Sequence, residues 1–508
     1  MKENQYGAVF NAYPDSMGGT LGDIVRFLGS PEAKGAFSAF YILPSLYHSD
    51  LDRGFSVVDY GLNEALARPE DLQALRDMGI GLKLDFVLNH ASVQSPQFQD
   101  LLARGDASPY RDFFINWNEF WQGHGEMTEE GYIQPDPELI RDMFFRKPGL
   151  PILMVEYPDG RRVPYWNTFY QQVDVDRDGR KHYLGQMDLD IRSPLVWDFY
   201  ADTMKTLAGY GAQIVRLDAF AYAPKAVGAR NFLNEPGTWE LLDRVAALAR
   251  PYGIALLPEI HASYGEGIYR VLAEKGYMVY DFFLPGLILD AFERKDGADL
   301  ARWAGEIIQK GMRTVNMLGC HDGIPLLDLK GLLPEERIQS LIDTLVWRGG
   351  YVKDLHGAKN VYYQVNAAYY SALGESDARL LLARAIQVFM PGRPQVWYLD
   401  LFARKNDYEG MRRAGAGGHK EINRTNLTAA AVEEGLKTPV VLKQLALLKL
   451  RGECPAFDPA AEIEVSVEGS GLSMRWRHAG SEALLRADLA AGRYEIAVDG
   501  ARRPELEP

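Results

Sequence analysis

The sequence predicts an α/β protein built on an eight-stranded parallel (β/α)₈ barrel of the TIM-barrel class, with inserted loop domains and a small C-terminal β domain. One observation is a series of short runs rich in β-branched and aromatic residues that alternate with amphipathic helical stretches, the pattern of successive βα units. Another is a set of carboxylates at the ends of several runs, where a barrel assembles its active site. The eight predicted strands are residues 8–13, 40–43, 81–88, 212–217, 254–258, 278–283, 314–318 and 395–399.

Two intervals between the predicted strands are too long for simple βα connections, so we interpret them as inserted domains. The first, residues 91–180, is rich in Trp and Tyr. The second, residues 323–373, carries a Gly-flanked polar segment beside the expected catalytic face, which is typical of a functional loop. After about residue 441, short alternating runs predict a C-terminal β domain over residues 441–508. The barrel then comprises residues 1–90, 181–322 and 374–440.

Composition and charge exclude several classes of protein. The 508-residue chain has a formal net charge of −14 at pH 7, which disfavours a nucleic-acid partner because such binding normally requires a basic face. Apolar residues make up 47% and charged residues 24%, with no indication of a membrane span. Only Cys320 and Cys454 are present, too far apart for a zinc or disulfide framework. The N-terminus lacks the pattern of a secretory signal, so we expect a cytoplasmic protein.

Three carboxylates, Asp218, Glu259 and Asp322, come at or just after the ends of predicted strands. A retaining glycosidase needs one ionised carboxylate to attack the anomeric carbon and one carboxylic acid to protonate the leaving oxygen. Arg216 lies two residues before Asp218 on the same strand face and is predicted to keep it ionised. Glu259 is predicted to have a raised pKa and to act as acid and base. A single carboxylate at a strand end is more often a helix cap or a surface ion pair, so the prediction depends on all three.

The segments around these carboxylates resemble the four sequence regions of the alpha-amylase superfamily, in the same order. They are Asp85-Phe-Val-Leu-Asn-His90, Val215-Arg-Leu-Asp-Ala219, Pro258-Glu-Ile-His261 and Gly319-Cys-His-Asp-Gly323. Within that superfamily the chain resembles the sucrose phosphorylase group along nearly its whole length. The further matching segments are Arg146-Lys-Pro-Gly-Leu-Pro151, Gln171-Gln-Val-Asp174, Tyr363-Gln-Val-Asn366, Pro391-Gly-Arg-Pro-Gln-Val396, Lys405-Asn-Asp407 and Glu421-Ile-Asn-Arg424.

The resemblance implies a double displacement on an alpha-glucoside. Asp218 forms a β-glucosyl ester, Glu259 protonates the departing oxygen, and Asp322 stabilises the oxocarbenium-like transition state. Phosphate then takes the glucosyl group and gives alpha-glucose 1-phosphate. A basic partner to Asp52 is expected near Lys420, which stands where the group usually has Arg, and Arg424. The residues that the resemblance implies for substrate binding are Asp52, Phe55, His90, Gln172, Arg216, His321, Gln364, Lys420 and Arg424.

The resemblance implies neither a metal ion nor an organic cofactor. His90, His261 and His321 fall on different strands, beside carboxylates that already have implied roles. Asn89 resembles a calcium ligand of true amylases, whereas the sucrose phosphorylase group does not need that ion. We therefore expect no metal site.

The acceptor side departs from the usual sucrose phosphorylase pattern. Arg146 stands where those enzymes commonly have Pro, and the loop Lys353-Asp-Leu-His356-Gly-Ala-Lys359 stands where their loop is small and neutral. Added positive charge favours an anionic acceptor, because Arg, Lys and His bind phosphate through charge-assisted hydrogen bonds. The pair Arg146 and His356 resembles the sucrose 6-phosphate phosphorylases. It implies a sugar phosphate and inorganic phosphate as the small-molecule partners.

The sequence is also compatible with other functions. Every member of the group admits inorganic phosphate, so a basic loop also fits a sucrose phosphorylase, and glucosylglycerate or glucosylglycerol phosphorylases are further alternatives. Hydrolysis is a nearer rival, because the exclusion of water depends on loop closure. A noncatalytic binding protein is disfavoured by the presence of all three carboxylates. A homodimer is a possible assembly, since dimers are known in the sucrose phosphorylase group.

Overall fold

The computed structural model describes residues 7–143, 149–177, 180–352, 364–415 and 418–508. Within them, eight parallel strands form a nearly closed barrel, which confirms the predicted fold class. Numbered from first to eighth in chain order, the barrel strands are Ala8–Ala12, Phe37–Ile42, Gly81–Val87, Ala212–Asp218, Ala255–Pro258, Val279–Asp281, Thr314–Met317 and Arg393–Trp397.

The hydrogen-bonded order of the barrel strands is fifth, fourth, third, second, first, eighth, seventh and sixth. The fifth and sixth strands stand at the two ends of this order and lie in contact, so the sheet curves round on itself. The pairing register sets Arg216 of the fourth strand beside Asp85 of the third. This register brings a cation and a carboxylate together inside the barrel.

Amphipathic helices surround the strands. Helix Pro194–Tyr210, for example, begins with Pro at its first position and buries Val196, Tyr200, Met204 and Leu207 at helical spacing. It ends at Gly211, whose φ of 92° is accessible to glycine at little cost. No helix in the described ranges has the length and apolarity that a membrane span requires. The principal helices are Leu21–Leu28, Pro69–Asp77, Pro194–Tyr210, Gly237–Ala249, Ile268–Glu274, Leu284–Arg294, Ala298–Gln309, Glu335–Trp347, Asp377–Phe389 and Pro439–Glu453.

The predicted strands occur in the right places, but several bounds differ. The second strand begins at Phe37, three residues before the prediction, and the sixth is confined to Val279–Asp281. The eighth runs over Arg393–Trp397, and the chain then enters the helical turn Tyr398–Leu401. Buried strands and short buried helical turns are equally apolar, so composition alone does not separate them.

The segment between the third and fourth barrel strands forms small antiparallel sheets beside the barrel. Trp117, Trp121 and Trp166 form the centre of a separate apolar cluster there. The helices of this segment are Pro96–Arg104, Trp117–Phe120 and Pro137–Ile140. Its strands are His90–Ser92, Gly125–Met127, Ile133–Pro135, Ile152–Glu156, Arg162–Trp166, Gln171–Val175 and Lys181–Asp188. The boundaries of the proposed inserted domain stay a prediction.

The segment after the seventh strand is more helical than a loop domain. Helix Glu335–Trp347 packs against helix Leu284–Arg294, and the short strands are Ile324–Pro325, Tyr351–Val352 and Gln364–Asn366. At the C-terminus, Pro439–Glu453 is a helix although the alternating pattern was expected from about residue 441. The antiparallel sheet begins only at Glu462. Its strands are Glu462–Glu468, Gly471–His478, Ser481–Asp488, Arg493–Val498 and Ala501–Arg502.

Candidate active site

Arg216 lies at the centre of the site and contacts three carboxylates. It precedes Asp218 by two residues on the fourth strand, so the two side chains point to the same side. Nη1 of Arg216 lies 2.6 Å from Oδ1 of Asp85 and 2.7 Å from Oδ1 of Asp218. Nη2 lies 3.3 Å from Oε1 of Glu259. The guanidinium is buried, so solvent ions screen these contacts little.

Glu259 also contacts a histidine that is itself held by a second carboxylate. Nε2 of His261 lies 3.3 Å from Oε1 of Glu259, and Nδ1 lies 3.3 Å from Oδ1 of Asp328. The imidazole ring stacks on Phe282, with 3.9 Å between the ring centroids. His261 is therefore fixed between the carboxylates of Glu259 and Asp328.

The two carboxyls on either side of Arg216 have opposite pKa shifts. Burial raises the pKa of Asp218 to about 7, although Arg216 acts in the opposite direction. Burial also favours the neutral form of Glu259, but Arg216 and His261 outweigh it and lower the pKa of Glu259 to about 2. The pKa values of the two carboxyls are in the reverse order of the sequence prediction, because Arg216 and His261 both contact Glu259 and stabilise its ionised form. The two carboxyls share Arg216, so their protonation is coupled, and burial places the higher pKa of the pair at about 7.

Asp322 is surrounded by basic side chains. Nζ of Lys420 lies 2.6 Å from its Oδ1, and Nε2 of His321 lies 3.1 Å from its Oδ2. Nη2 of Arg424 lies 3.6 Å from Oδ1. Burial favours the neutral acid, but His321, Lys420 and Arg424 outweigh it and hold the pKa of Asp322 well below its usual range. Asp322 is therefore a fixed negative charge in the site.

Asp52, Phe55 and His90 form one wall beside these residues. Nη1 of Arg424 lies 3.4 Å from Oδ1 of Asp52. The ring of Phe55 stacks on His321 at a centroid distance of 5.0 Å, and its carbonyl oxygen lies 3.0 Å from Nε2 of His90. Burial raises the pKa of Asp52, but Lys420 and Arg424 outweigh it, so the pKa is lowered. The expected basic partner of Asp52 is Arg424 by direct contact, whereas Lys420 contacts Asp322.

A strained turn presents Asp52 to the site. Asp52 and Arg53 have φ of 48° and 47°, and Gly54 has φ of 115°, all in the left-handed region that L residues rarely adopt. A Cβ atom on Gly54 would lie 2.0 Å from the backbone nitrogen of Ser45. Glycine is therefore required at residue 54 by both its φ and the close approach of the chain.

Two other predicted binding residues, Gln172 and Gln364, lie on short strands outside the barrel. Gln172 lies on the exposed strand Gln171–Val175, where it contacts Tyr170 and Asp174. Gln364 is half-buried on the strand Gln364–Asn366. Its neighbour on that strand, Asn366, donates a hydrogen bond to the backbone carbonyl of Asp322 at 2.7 Å. Arg146 and His356 lie outside the described residues.

Sequence reasoning assigned no role to Asp85, Asp328 or Asn366. Asp85 opens one of the segments that resemble the amylase regions, and its position on a strand face next to Arg216 could have indicated an ion pair. Asp328 lies in the single helical turn Leu327–Leu329, far from His261 in the chain. No local signal in the sequence connects Asp328 with His261, because their contact depends on tertiary structure.

A lysine ammonium joins three separate segments of the chain. Nζ of Lys225 lies 2.7 Å from Oδ2 of Asp188, 3.1 Å from Oδ1 of Asn89 and 2.8 Å from the carbonyl oxygen of Tyr222. Asp188 is fully buried and also accepts hydrogen bonds from the backbone and hydroxyl of Thr168. Among the described residues, no group of three or more His, Cys, Asp or Glu is arranged to hold a metal ion.

Removal of this ammonium is expected to destabilise the protein. Lys225→Met keeps much of the side-chain volume but leaves the buried Asp188 without its cation, which should cost about 3–5 kcal/mol of unfolding free energy. Urea denaturation at pH 7 measures the change. The control is Lys310→Met at an exposed helix end, which should stay within about 0.5 kcal/mol. A loss below about 1 kcal/mol for Lys225→Met would contradict the importance of this contact.

Comparison with known proteins decides the family. No protein-family model matches the chain. A protein from Ilumatobacter coccineus, described as sucrose 6(F)-phosphate phosphorylase, is 57% identical over 497 residues, with coverage of 96% of this chain and 95% of its own. The chain belongs to the sucrose phosphorylase family. It is therefore a phosphorylase that transfers a glycosyl group.

Two further members of the sucrose phosphorylase family extend the similarity. A sucrose phosphorylase from Streptococcus mutans is 34% identical over 462 residues, which cover 89% of each chain. The crystal structure of sucrose 6F-phosphate phosphorylase from Thermoanaerobacter thermosaccharolyticum superposes with a TM-score of 0.88 at 32% identity. It covers 98% of this chain and 97% of that one. The family similarity thus includes the barrel, the adjoining segments and the C-terminal sheet.

Proposed function

We propose that this enzyme converts sucrose 6-phosphate and inorganic phosphate into alpha-glucose 1-phosphate and fructose 6-phosphate. The observation that carries the proposal is the 57% identity, across nearly the whole chain, with a protein described as sucrose 6(F)-phosphate phosphorylase. The crystal structure with a TM-score of 0.88 has the same description. Sucrose phosphorylase is the second candidate, because the Streptococcus mutans relative with that description also covers most of the chain.

The contacts of Arg216 support a retaining double displacement. In this mechanism Asp218 attacks the anomeric carbon and Glu259 gives its proton to the departing fructosyl oxygen. Arg216 orients both carboxylates, at 2.7 Å from Asp218 and 3.3 Å from Glu259. The first step requires one proton on the pair of Asp218 and Glu259. The reactive form has this proton on Glu259 and leaves Asp218 ionised. Phosphate then displaces Asp218 from the glucosyl ester.

The surroundings of Asp322 support a role in binding the glucosyl group. Its charge is fixed by Lys420 and His321, so it can accept hydrogen bonds from sugar hydroxyls and stabilise positive charge on the ring. Asp52, held by Arg424, offers a second carboxylate in the same region. We assign the glucosyl group to this side, with Phe55 and His90 as the wall that closes it.

A product assay tests the reaction class. With sucrose 6-phosphate and inorganic phosphate, we expect alpha-glucose 1-phosphate in an amount equal to that of fructose 6-phosphate. Without phosphate, its formation should stop. Free glucose as the main product in saturating phosphate would favour the hydrolase instead. Activity only on glucosylglycerate or glucosylglycerol would move the proposal to those acceptors.

Replacement of Arg146 or His356 by Ala is expected to act selectively on the phosphorylated substrate. A charge-assisted hydrogen bond contributes about 1.5–3 kcal/mol, so KM for sucrose 6-phosphate should rise about tenfold or more while KM for sucrose changes little. Steady-state kinetics on both sugars measures the effect. Arg141→Ala is the matched control, because Arg141 is exposed and pairs with Asp142 at 3.2 Å. Equal effects on both sugars would contradict this assignment.

Activity is expected to fall as the pH rises above about 7. The reactive enzyme needs one proton on the Asp218 and Glu259 pair, and the pair loses it as the pH passes the upper pKa of about 7. The measurement is kcat/KM for sucrose between pH 5 and 9, because sucrose has no ionisable group in that range. A kcat/KM that stays constant up to pH 9 would show that this pair does not control the reaction.

A cytoplasmic location and a homodimer are also part of the proposal. Sugar phosphates are charged and cross a bilayer poorly. An enzyme that consumes a sugar phosphate is therefore expected in the cytoplasm, where the sugar phosphate is made. Size-exclusion chromatography with light scattering tests the dimer. The small molecules proposed as partners are the sugar phosphate and inorganic phosphate, with no nucleic acid.

A further inference from the structure

The pair His261 and Asp328 extends the catalytic machinery beyond the three carboxylates. His261 lies 3.3 Å from Glu259 through Nε2 and 3.3 Å from Asp328 through Nδ1. Both His261 and Asp328 side chains are almost fully buried, and Phe282 covers one face of the imidazole ring. With both ring nitrogens facing carboxylate oxygens, the arrangement suits an imidazolium that donates to each side.

The charges around His261 keep it cationic. Burial lowers its pKa, but Asp328 and Glu259 outweigh this and raise the pKa to about 9. The other charged groups that act on this cluster are Arg216, 3.3 Å from Glu259, and Asp322, whose negative charge raises the pKa of Glu259. Glu259 thus has two cations beside it, and it is a weak base compared with an isolated carboxylate.

We infer that His261, positioned by Asp328, directs the glucosyl-enzyme toward phosphate and away from water by keeping Glu259 a weak base. This inference rests on the proposed function. When the fructosyl oxygen leaves, it takes the proton of Glu259, and the ester bond to Asp218 forms. The intermediate therefore contains an ionised Glu259 next to the His261 cation.

The two possible second steps need different help from Glu259. Water must lose a proton as its oxygen bonds to the anomeric carbon, and Glu259 is the carboxylate placed to accept it. A hydrogen phosphate dianion attacks through an oxygen that is already negative, so its proton stays on another oxygen during bond formation. As the new bond forms, the ester bond to Asp218 breaks. The glucosyl phosphate then gives its remaining proton to Glu259, which returns to the protonated form. Low basicity of Glu259 therefore slows the attack of water on the glucosyl ester but not the attack of phosphate.

His261 also favours phosphate through its charge. A dianion that approaches the anomeric carbon passes the negative charges of Glu259 and Asp322. An imidazolium beside Glu259 reduces this repulsion. The low basicity of Glu259 and the reduced repulsion of phosphate both lower the ratio of free glucose to glucose 1-phosphate. We classify His261 and Asp328 as positioning residues, because they act through Glu259.

The test is the ratio of free glucose to glucose 1-phosphate, measured in one reaction at fixed phosphate. For His261→Asn we expect this ratio to rise about threefold or more, as Glu259 becomes a stronger base. The upper limit of the kcat/KM profile for sucrose should also move to higher pH. Asp328→Asn keeps the shape of the side chain and should cause a smaller change in the same direction. It also keeps the test possible if His261→Asn does not fold.

The control is His478→Asn, because His478 lies on the C-terminal sheet near Asp458. Its product ratio should equal that of the wild type. A lower total rate in both site variants, with an unchanged ratio and pH profile, would overturn the inference while leaving the proposed function intact. A wild type that forms no glucose 1-phosphate would overturn the proposed function, and the inference with it.

Discussion

Asp218→Asn is expected to lower turnover at least a hundredfold, whichever glucosyl donor is used. The amide cannot form the glucosyl ester, and loss of a covalent nucleophile costs about 3 kcal/mol or more in the activation barrier. Asp218 lies 2.7 Å from Arg216, so the isosteric amide retains shape but loses the attacking charge. Initial rates with sucrose 6-phosphate and with alpha-glucosyl fluoride measure the change.

Two observations separate loss of the nucleophile from general damage. The variant should keep the thermal midpoint of the wild type to within a few degrees, because the amide keeps the shape of the side chain and Arg216 keeps its contacts with Asp85 and Glu259. It should also fail on alpha-glucosyl fluoride, whose leaving group needs no acid. A variant with more than about one hundredth of wild-type turnover would show that Asp218 is not the nucleophile.

Glu259→Gln is expected to have an effect that depends on the leaving group. General acid catalysis contributes about 10²–10⁴-fold, so turnover of sucrose 6-phosphate should fall by that factor. Fluoride leaves without a proton, and formation of the glucosyl ester from alpha-glucosyl fluoride should stay within about tenfold of the wild type. Burst kinetics of fluoride release give the rate of this first step.

The contrast between the two variants is the control for each of them. Both side chains contact Arg216, so a loss caused only by disturbance of Arg216 should affect both donors equally in both variants. If Glu259→Gln slowed fluoride release as strongly as sucrose 6-phosphate turnover, the assignment of Glu259 as the acid would be wrong.

The barrel was predictable from the sequence because its strands are short apolar runs between amphipathic helices. Arg216 and Asp218 were predictable for a local reason, since residues two apart on a strand share a face. The helix Pro439–Glu453 was not expected as such, because most of its faces are apolar or mixed and residues on several sides are buried. An all-round burial pattern of this kind weakens the helical period.

The charge balance around Glu259 could not be predicted. Asp328 reaches His261 from a turn 67 residues further along the chain, and no spacing rule connects them. The same holds for Lys225, whose partners Asn89 and Asp188 come from separate segments. Local pattern predicts which residues share a strand face, whereas pKa shifts depend on long-range contacts that only the folded chain supplies.

Specificity for sucrose 6-phosphate is measured by kcat/KM for glucose 1-phosphate formation from sucrose 6-phosphate and from sucrose under identical conditions. We predict that the value for sucrose 6-phosphate is higher by about tenfold or more, which corresponds to one charge-assisted hydrogen bond to its phosphate group. Equal values, or a higher value for sucrose, would contradict the account and favour the sucrose phosphorylase alternative.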